Sequence, residues 1–200
     1  MAIKVANNQS LTAITALPAA ITGGAMTLIS TQTASSSASI DFTSNIDSTY
    51  DEYVFKFINI HPATDNAEFT VGFRDGSTDY DATKTTTYYK AEHGEDGSNG
   101  ELSYNTSNDL AQSTGVQILA SNVGADNDQS CSGELCILNP ASTTFATCFY
   151  ATTNSARSDN ITFNIYVDGY CSAAAAIDGV QFSFASGAIA SGTFKLYGEA

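Results

Sequence analysis

The stretch Tyr50-Asp-Glu-Tyr-Val-Phe-Lys-Phe-Ile-Asn-Ile-His-Pro62 predicts the architecture of this chain. Successive side chains of an extended strand point to opposite faces. One face of this stretch therefore carries Tyr53, Phe55 and Phe57, and the other carries Val54, Ile58 and Ile60. A strand that is apolar on both faces is typical of the middle of a sheet with cover on both sides. Proline cannot donate a ladder hydrogen bond, so the strand should end at Pro62.

Alternation of apolar and polar residues recurs at short intervals on both sides of this stretch. Met26–Ser30 predicts a short strand, and the Ser/Thr-rich run Thr31–Ser39 predicts a loop or a polar edge. The run Ile161–Asp168 is the clearest strand that is apolar on one face only, and the polar segment His93–Gly100 predicts a loop. The loop Asn139–Thr143 should join two strands as a hairpin.

Roughly nine or ten strands are expected in all, with no helical segment of useful length. We therefore predict an all-β fold, a single antiparallel β-sandwich of jelly-roll type spanning residues 26–200. Residues 1–25 carry scattered apolar positions interrupted by Pro18 and the pair Gly23-Gly24. This pattern lacks helical periodicity, so we predict an extended N-terminal arm that lies on another surface.

Charge limits the classes of partner. The 200 residues include 21 Asp and Glu but only seven Lys and Arg, which gives a net charge of −14. An acidic surface repels phosphate backbones and anionic lipid, so we expect no nucleic-acid and no membrane partner. The chain shows no transmembrane segment and no signal-peptide pattern. We expect that it does not use classical secretion.

Four cysteines lie in the second half of the chain, at Cys131, Cys136, Cys148 and Cys171. Cys131 and Cys136 would point to opposite faces of one strand and so cannot pair with each other. A bridge from Cys136 to Cys148 across the intervening turn is the alternative. Because zinc-type spacing is missing, the favoured interpretation is four buried free thiols, as expected in a reducing cytoplasm.

Catalytic chemistry finds little support in the sequence. Only His61 and His93 can supply an imidazole, and neither stands near a nucleophile motif such as Gly-x-Ser-x-Gly. A pair of carboxylates of the glycosidase type remains open, since nothing in the sequence selects two of the 21 acids. We predict a protein that is not an enzyme and has no catalytic residues.

Three oxygen-rich clusters are candidates for calcium: Asp126-Asn127-Asp128, the set Asp75, Asp79 and Asp81, and Glu95-Asp96. None follows the order of ligands in an EF-hand loop. Phosphate-cradling glycine loops are absent as well, because the Gly-rich pieces are turns between strands. We therefore predict no metal site and no cofactor.

Several stretches of the sequence are familiar as a set. They are Leu11–Pro18, Leu28–Ser39, Ile46–Tyr53, Phe57–Asp65, Leu138–Phe145 and Ser191–Gly198. Together they resemble a family of virion structural proteins from tailed bacteriophages, many of them marine. The resemblance extends from the arm to the last strand, and it implies a β-sandwich component of a virus particle, either on the head or on the tail.

The resemblance implies a structural protein at the particle surface, made in the host cytoplasm and released by lysis. Its partners would be other virion proteins and its own copies, with a homotrimer as the favoured assembly. The alternative is a tail-fibre or adhesin module that binds host glycan through Tyr80, Tyr88, Tyr89 and Tyr104, since exposed tyrosine rings are stacking surfaces. An enzyme that degrades surface polysaccharide ranks third.

Overall fold

The structure, a computed structural model, describes residues 26–98, 100–172 and 175–199. The predicted arm at residues 1–25 lies outside this range. Twelve strands are present in the described residues. They are β1 (Thr27–Ser37), β2 (Ile40–Phe42), β3 (Glu52–Pro62), β4 (Ala67–Arg74), β5 (Lys84–Gly94), β6 (Glu101–Tyr104), β7 (Gln117–Val123), β8 (Cys131–Leu138), β9 (Thr147–Ala156), β10 (Ile161–Cys171), β11 (Gly179–Phe184) and β12 (Ile189–Glu199).

The strands form two antiparallel sheets. The large sheet has the order β1-β12-β3-β8-β9-β10-β5-β6, and the small sheet has the order β2-β11-β4-β7. The pairs β1·β12, β2·β11, β3·β8 and β4·β7 are those of a jelly roll, in which the chain passes back and forth between two sheets. The hairpins β5–β6 and β9–β10 extend the large sheet beyond the small one. The predicted antiparallel β-sandwich is confirmed.

Phenylalanine rings join the two sheets. Phe182 in the small sheet is fully buried and packs against five other rings at centroid distances of 5.3–6.3 Å. These rings belong to Phe42 and Phe69 of the small sheet and to Phe55, Phe57 and Phe194 of the large sheet. Burial of each aromatic ring removes a large apolar area from water, so this cluster is the main source of cohesion between the sheets.

A β-bulge in β3 changes the predicted arrangement of side chains. Phe57 pairs with Gly133, and Ile60 pairs with Cys131. Between these two pairs β3 advances by three residues while β8 advances by two, and Asn59 has a positive φ of 52°. The extra residue returns Ile60 to the core face, where it is fully buried, and leaves Ile58 41% exposed on the outer face.

The prediction for β3 is therefore confirmed in part. The strand is central, between β12 and β8, and it ends at Pro62 as expected. The expected cover on both faces is seen only in part, because the small sheet covers the inner face, whereas on the outer face Val54 is buried and Ile58 is exposed.

Other sequence interpretations fared unequally. Thr31–Ser39 is a polar edge, since most of it belongs to the edge strand β1. The loop expected at His93–Gly100 was placed too early, because His93 and Gly94 still pair with β10. The strand β6 was missed, since only four residues form it and only Leu102 is apolar among its outward positions.

We expect Phe182→Ala to lower the free energy of unfolding by about 3–5 kcal/mol, because it leaves a cavity at the centre of the ring cluster. Phe145→Ala is the matched control, since that ring is 73% exposed and its loss should cost less than about 0.5 kcal/mol. Urea unfolding followed by tyrosine fluorescence measures both. Equal losses in the two variants would contradict this account of the core.

Candidate functional site

Three tyrosines stand in line on the outer face of the large sheet. Tyr166 of β10 is the register partner of Tyr89 of β5, which is the partner of Tyr104 of β6. The rings of Tyr89 and Tyr166 are stacked, with centroids 5.1 Å apart and planes 10° apart. Tyr104 is 53% exposed, and its hydroxyl donates a hydrogen bond of 2.6 Å to Asp109 Oδ2. We name Tyr166, Tyr89 and Tyr104 the tyrosine row.

The outward strand positions around the tyrosine row carry few charges, although the carboxylate of Asp109 lies beside the row and accepts the hydrogen bond of Tyr104. Strand alternation directs seventeen side chains of β9, β10, β5 and β6 outward: Cys148, Tyr150, Thr152, Asn154, Ala156, Thr162, Asn164, Tyr166, Asp168, Tyr170, Thr85, Thr87, Tyr89, Ala91, His93, Leu102 and Tyr104. Asp168 is the one carboxylate among them, although the chain has 21 acidic residues. We name this surface the neutral face. It is rich in hydroxyl and amide groups and carries five tyrosines.

A shallow hollow of about 390 Å³ adjoins the neutral face. Its rim includes Ile58, Ser132, Thr152 and Asn154, and it lies beside the bulge in β3. A Cβ atom at Gly133 would lie 2.2 Å from the carbonyl oxygen of Thr152, so glycine alone fits beneath the hollow.

Strand register places the hollow and the tyrosine row on one line. Lys56 pairs with Glu134, Glu134 with Thr152, and Thr152 with Tyr166. Lys56 Nζ and Glu134 Oε2 form an ion pair of 3.3 Å across the hollow. The line from Lys56 to Tyr104 crosses six adjacent strands, which corresponds to about 24 Å at the usual strand spacing.

The sequence selected two of the three residues in the tyrosine row. Tyr89 and Tyr104 were among the four tyrosines proposed as stacking surfaces, whereas Tyr88 is fully buried and Tyr80 is half-buried in the β4–β5 connection. Burial raises the pKa of both of these hydroxyls. Tyr166 was missed as a site residue. The alternation of Ile161–Asp168 does direct it outward, but its place beside Tyr89 depends on strand pairing.

His61 lines a second feature, a polar cleft of about 430 Å³ at one end of the sandwich. We name it the end cleft, and its lining residues are Asn59, His61, Asn127, Asp128, Gln129, Ser130 and Ser191. His61 Nδ1 lies 2.7 Å from the carbonyl oxygen of Gln129, which can only accept. Nδ1 therefore carries the proton in the neutral ring, and Nε2 keeps a lone pair.

The end cleft is built on a buried glutamine. Gln129 is 6% exposed, and its amide oxygen accepts from the backbone of Asp126 while its amide nitrogen donates to the carbonyl of Arg157. These bonds hold the β7–β8 loop, and with it Asn127 and Asp128, against the end of β9.

His93 does not join His61. It is exposed on β5, opposite Thr162, and four strand intervals separate β3 from β5 in the large sheet. This corresponds to about 19 Å, too far for the two imidazoles to act on one substrate atom.

The three acidic clusters lie on separate connections. Asp75, Asp79 and Asp81 follow β4, Glu95 and Asp96 follow β5, and Asp126 and Asp128 follow β7. Over residues 26–98, 100–172 and 175–199, no three His, Cys, Asp or Glu side chains come together in a way that could hold a metal ion. The same residues contain no helix long and apolar enough to cross a membrane.

All four cysteines are free. The expectation that all are buried was wrong for Cys148, which is exposed on the neutral face. Cys136 pairs in register with Tyr150, so Cys148 lies two residues away on the same face, beyond the reach of a disulfide. The Cys136 thiol donates a hydrogen bond of 2.7 Å to Glu52 Oε1. Burial, and to a smaller extent this hydrogen bond, raise the pKa of the thiol to about 12.

Lys84 is the one lysine with a fully buried side chain among the described residues. Its ammonium donates a hydrogen bond of 2.6 Å to the carbonyl oxygen of Gly115. Burial lowers its pKa, and this effect outweighs the opposite influence of Cys171, Asp81 and Asp75. The group faces the interior and makes no contact with the neutral face, so we assign it no part in a site.

No protein-family model matches the chain, and no match was found among curated proteins or solved structures.

We expect one of the four thiols, Cys148, to react quickly with a thiol reagent in the native protein. The others should react only on unfolding, because burial raises the pKa of Cys131 and raises those of Cys136 and Cys171 to about 12. Cys148→Ser should abolish the fast phase, and the unfolded wild type should titrate four thiols. Two or more fast thiols would contradict the structure.

Lys84→Met should change how stability depends on pH. The folded pKa of Lys84 lies below its ordinary value of 10.5. As pH falls from 10.5, the unfolded chain therefore binds this proton before the folded chain does, and wild-type stability decreases. The stability of Lys84→Met relative to wild type should thus be greatest near pH 7 and decrease toward pH 10. Urea unfolding of both proteins across this range measures the difference, and parallel curves would contradict the assignment.

Proposed function

We propose that this chain is a non-enzymatic structural protein of a tailed-phage particle, displayed on the surface as a capsid-decoration or tail-attached protein. The observation that carries this proposal is where the family-like segments lie. Leu28–Ser39 covers most of β1, and Ser191–Gly198 lies in β12. Ile46–Tyr53 overlaps the start of β3 and Phe57–Asp65 overlaps its end, and Leu138–Phe145 connects β8 to β9. Since β1, β12 and β3 are consecutive in the large sheet, the family-like segments in these strands are adjacent in the structure.

Fold and charge agree with this role. Jelly rolls recur in viral capsid proteins, although the fold by itself does not specify a function. A net charge of −14 opposes a position next to packaged DNA and favours the outside of the particle.

The edge strand β1 is the proposed site of assembly. β1 bonds to β12 on one side, and within the described residues its other edge has no strand partner. An open edge of eleven residues is a template for an added strand. The segment 1–25 directly precedes it in the chain, so an arm from a sister copy or a strand of another virion protein can dock there. Exchange of arms in a ring gives the proposed homotrimer.

Glycan recognition, as in a tail-fibre or adhesin module, is the second candidate. The neutral face with its tyrosine row favours it, since exposed tyrosines in a charge-poor surface mark a binding face. This face belongs to the β6 end of the large sheet, opposite the β1 end. Assembly through β1 would leave it free. A polysaccharide-degrading enzyme remains the third candidate, with no carboxylate pair selected by a contact in the described residues.

The test is to locate the protein in purified virions by antibody labelling and by density in particle reconstructions. Deletion of residues 1–25 should leave the sandwich folded while reducing occupancy on the particle and the size of the oligomer. Tyr104→Ala is the control, because it alters the opposite end of the sheet and should leave occupancy unchanged. Absence of the protein from purified virions would refute the proposal. Full occupancy and oligomer size in the truncated protein would refute assembly through the arm.

A further inference from the structure

We propose that the tyrosine row and the adjoining hollow form a binding site for a neutral glycan chain that lies across the strands. The inference rests on the proposed display at the particle surface, because a glycan of the host envelope can be reached only from outside the particle. It assigns a ligand class and a position to the second candidate function.

The tyrosine rings supply the apolar part of the site. One face of a pyranose ring presents C–H bonds, and these pack on the electron-rich face of an aromatic ring. Tyr166 and Tyr104 are 37% and 53% exposed, and Tyr89 is held between them in register. Stacking of Tyr89 on Tyr166 fixes both rings before a ligand arrives, so little side-chain entropy is lost on binding.

Amides and hydroxyls beside the rings supply the polar part. Asn154 and Thr152 reach the rim of the hollow, and Asn164 lies between Asn154 and Ala91 in register. The Asn164 amide oxygen is buried and has no hydrogen-bond partner in the described residues. Such a group gains from a hydroxyl donor, and a glycan carries donors and acceptors along its whole length.

Charge selects among glycans. The strand positions of the neutral face carry one carboxylate, Asp168, and no lysine or arginine, and a second carboxylate, Asp109, lies beside the face and accepts the hydrogen bond of Tyr104. An anionic sugar would find no cation along the tyrosine row and would be repelled by the net charge of −14. The Lys56 ammonium at the far end of the line is already paired with Glu134. A neutral polyol requires no charged partner of either sign, so this surface fits a neutral glycan best.

Geometry favours a chain over a single sugar. The line from Lys56 to Tyr104 is open along about 24 Å, and the contacts are spread over six strands without an enclosed pocket at the row. A glycan binds such an open surface more tightly when it has more sugar residues, because each residue adds a small contribution to the binding free energy.

A second copy of the chain is a less suitable occupant. Protein interfaces are centred on large apolar anchors, and Leu102 is the one large aliphatic side chain that the neutral face offers.

The experiment is affinity electrophoresis of the full chain in gels that contain neutral glucan, mannan or galactan, with alginate and heparin as acidic probes. We expect retardation by at least one neutral polymer and none by the acidic ones. Tyr104→Ala and Tyr166→Ala should each raise the dissociation constant about tenfold, which corresponds to a loss of about 1.4 kcal/mol of binding free energy. Thermal unfolding of each variant checks that the fold is intact.

Two controls place the site. Tyr197→Ala removes a tyrosine from the same face at β12, four strand intervals from β10, and should leave retardation unchanged. His61→Ala with Asp128→Asn removes the imidazole and the carboxylate charge from the end cleft and should also leave retardation unchanged. Retardation that is lost only in the cleft variant would overturn the assignment to the tyrosine row.

Two further results would overturn the proposal. One is no retardation by any neutral polymer. The other is a wild-type oligomer that dissociates in Tyr104→Ala on sedimentation, which would make the row a contact between copies. Virion labelling separates these failures from failure of the proposed function: a particle protein that binds no neutral glycan refutes this inference alone. A glycan-binding protein that is missing from virions refutes the structural role alone.

Discussion

The contact of Phe182 with five neighbouring phenylalanine rings is the interaction on which the rest of the structure depends. It fastens the four-stranded sheet to strands β12 and β3 of the eight-stranded sheet, and it keeps water from the inner face of β3. The small sheet covers only one side of the large sheet, and no second sheet of the described residues covers the opposite side, although Val54 and Cys136 are buried there by their neighbours. That uncovered side carries the tyrosine row and the hollow.

The bulge at Asn59 connects the core to the surface. One extra residue in β3 returns Ile60 to the core and turns His61 outward, and the backbone N–H of Asn59 donates a hydrogen bond of 2.9 Å to the hydroxyl of Ser132. The hollow lies on one side of this bulge, and the end cleft lies on the other. Both features therefore border the same β-bulge.

The distribution of charge differs between the two ends of the large sheet. Most carboxylates lie outside the neutral face, on connections and on the remaining strands. The neutral face is located at the β6 end of the large sheet, and the open edge of β1 is located at the other end. A particle protein that attaches by one end and presents the other to the host would use this arrangement.

The sequence by itself determined the fold class. Local properties of the chain can be predicted from sequence alone. They include the alternation in Tyr53–Phe57 and Ile161–Asp168, the end of the strand at Pro62 and the hairpin after Leu138. The sequence also indicated tyrosines 89 and 104 as candidate surface rings. Only the tertiary structure decided that Tyr88 is core, that Cys148 is exposed, and that Tyr166 joins Tyr89. Each of these depends on which strands pair and in which register, and a shift of one residue in β10 would have placed Tyr166 on the other face.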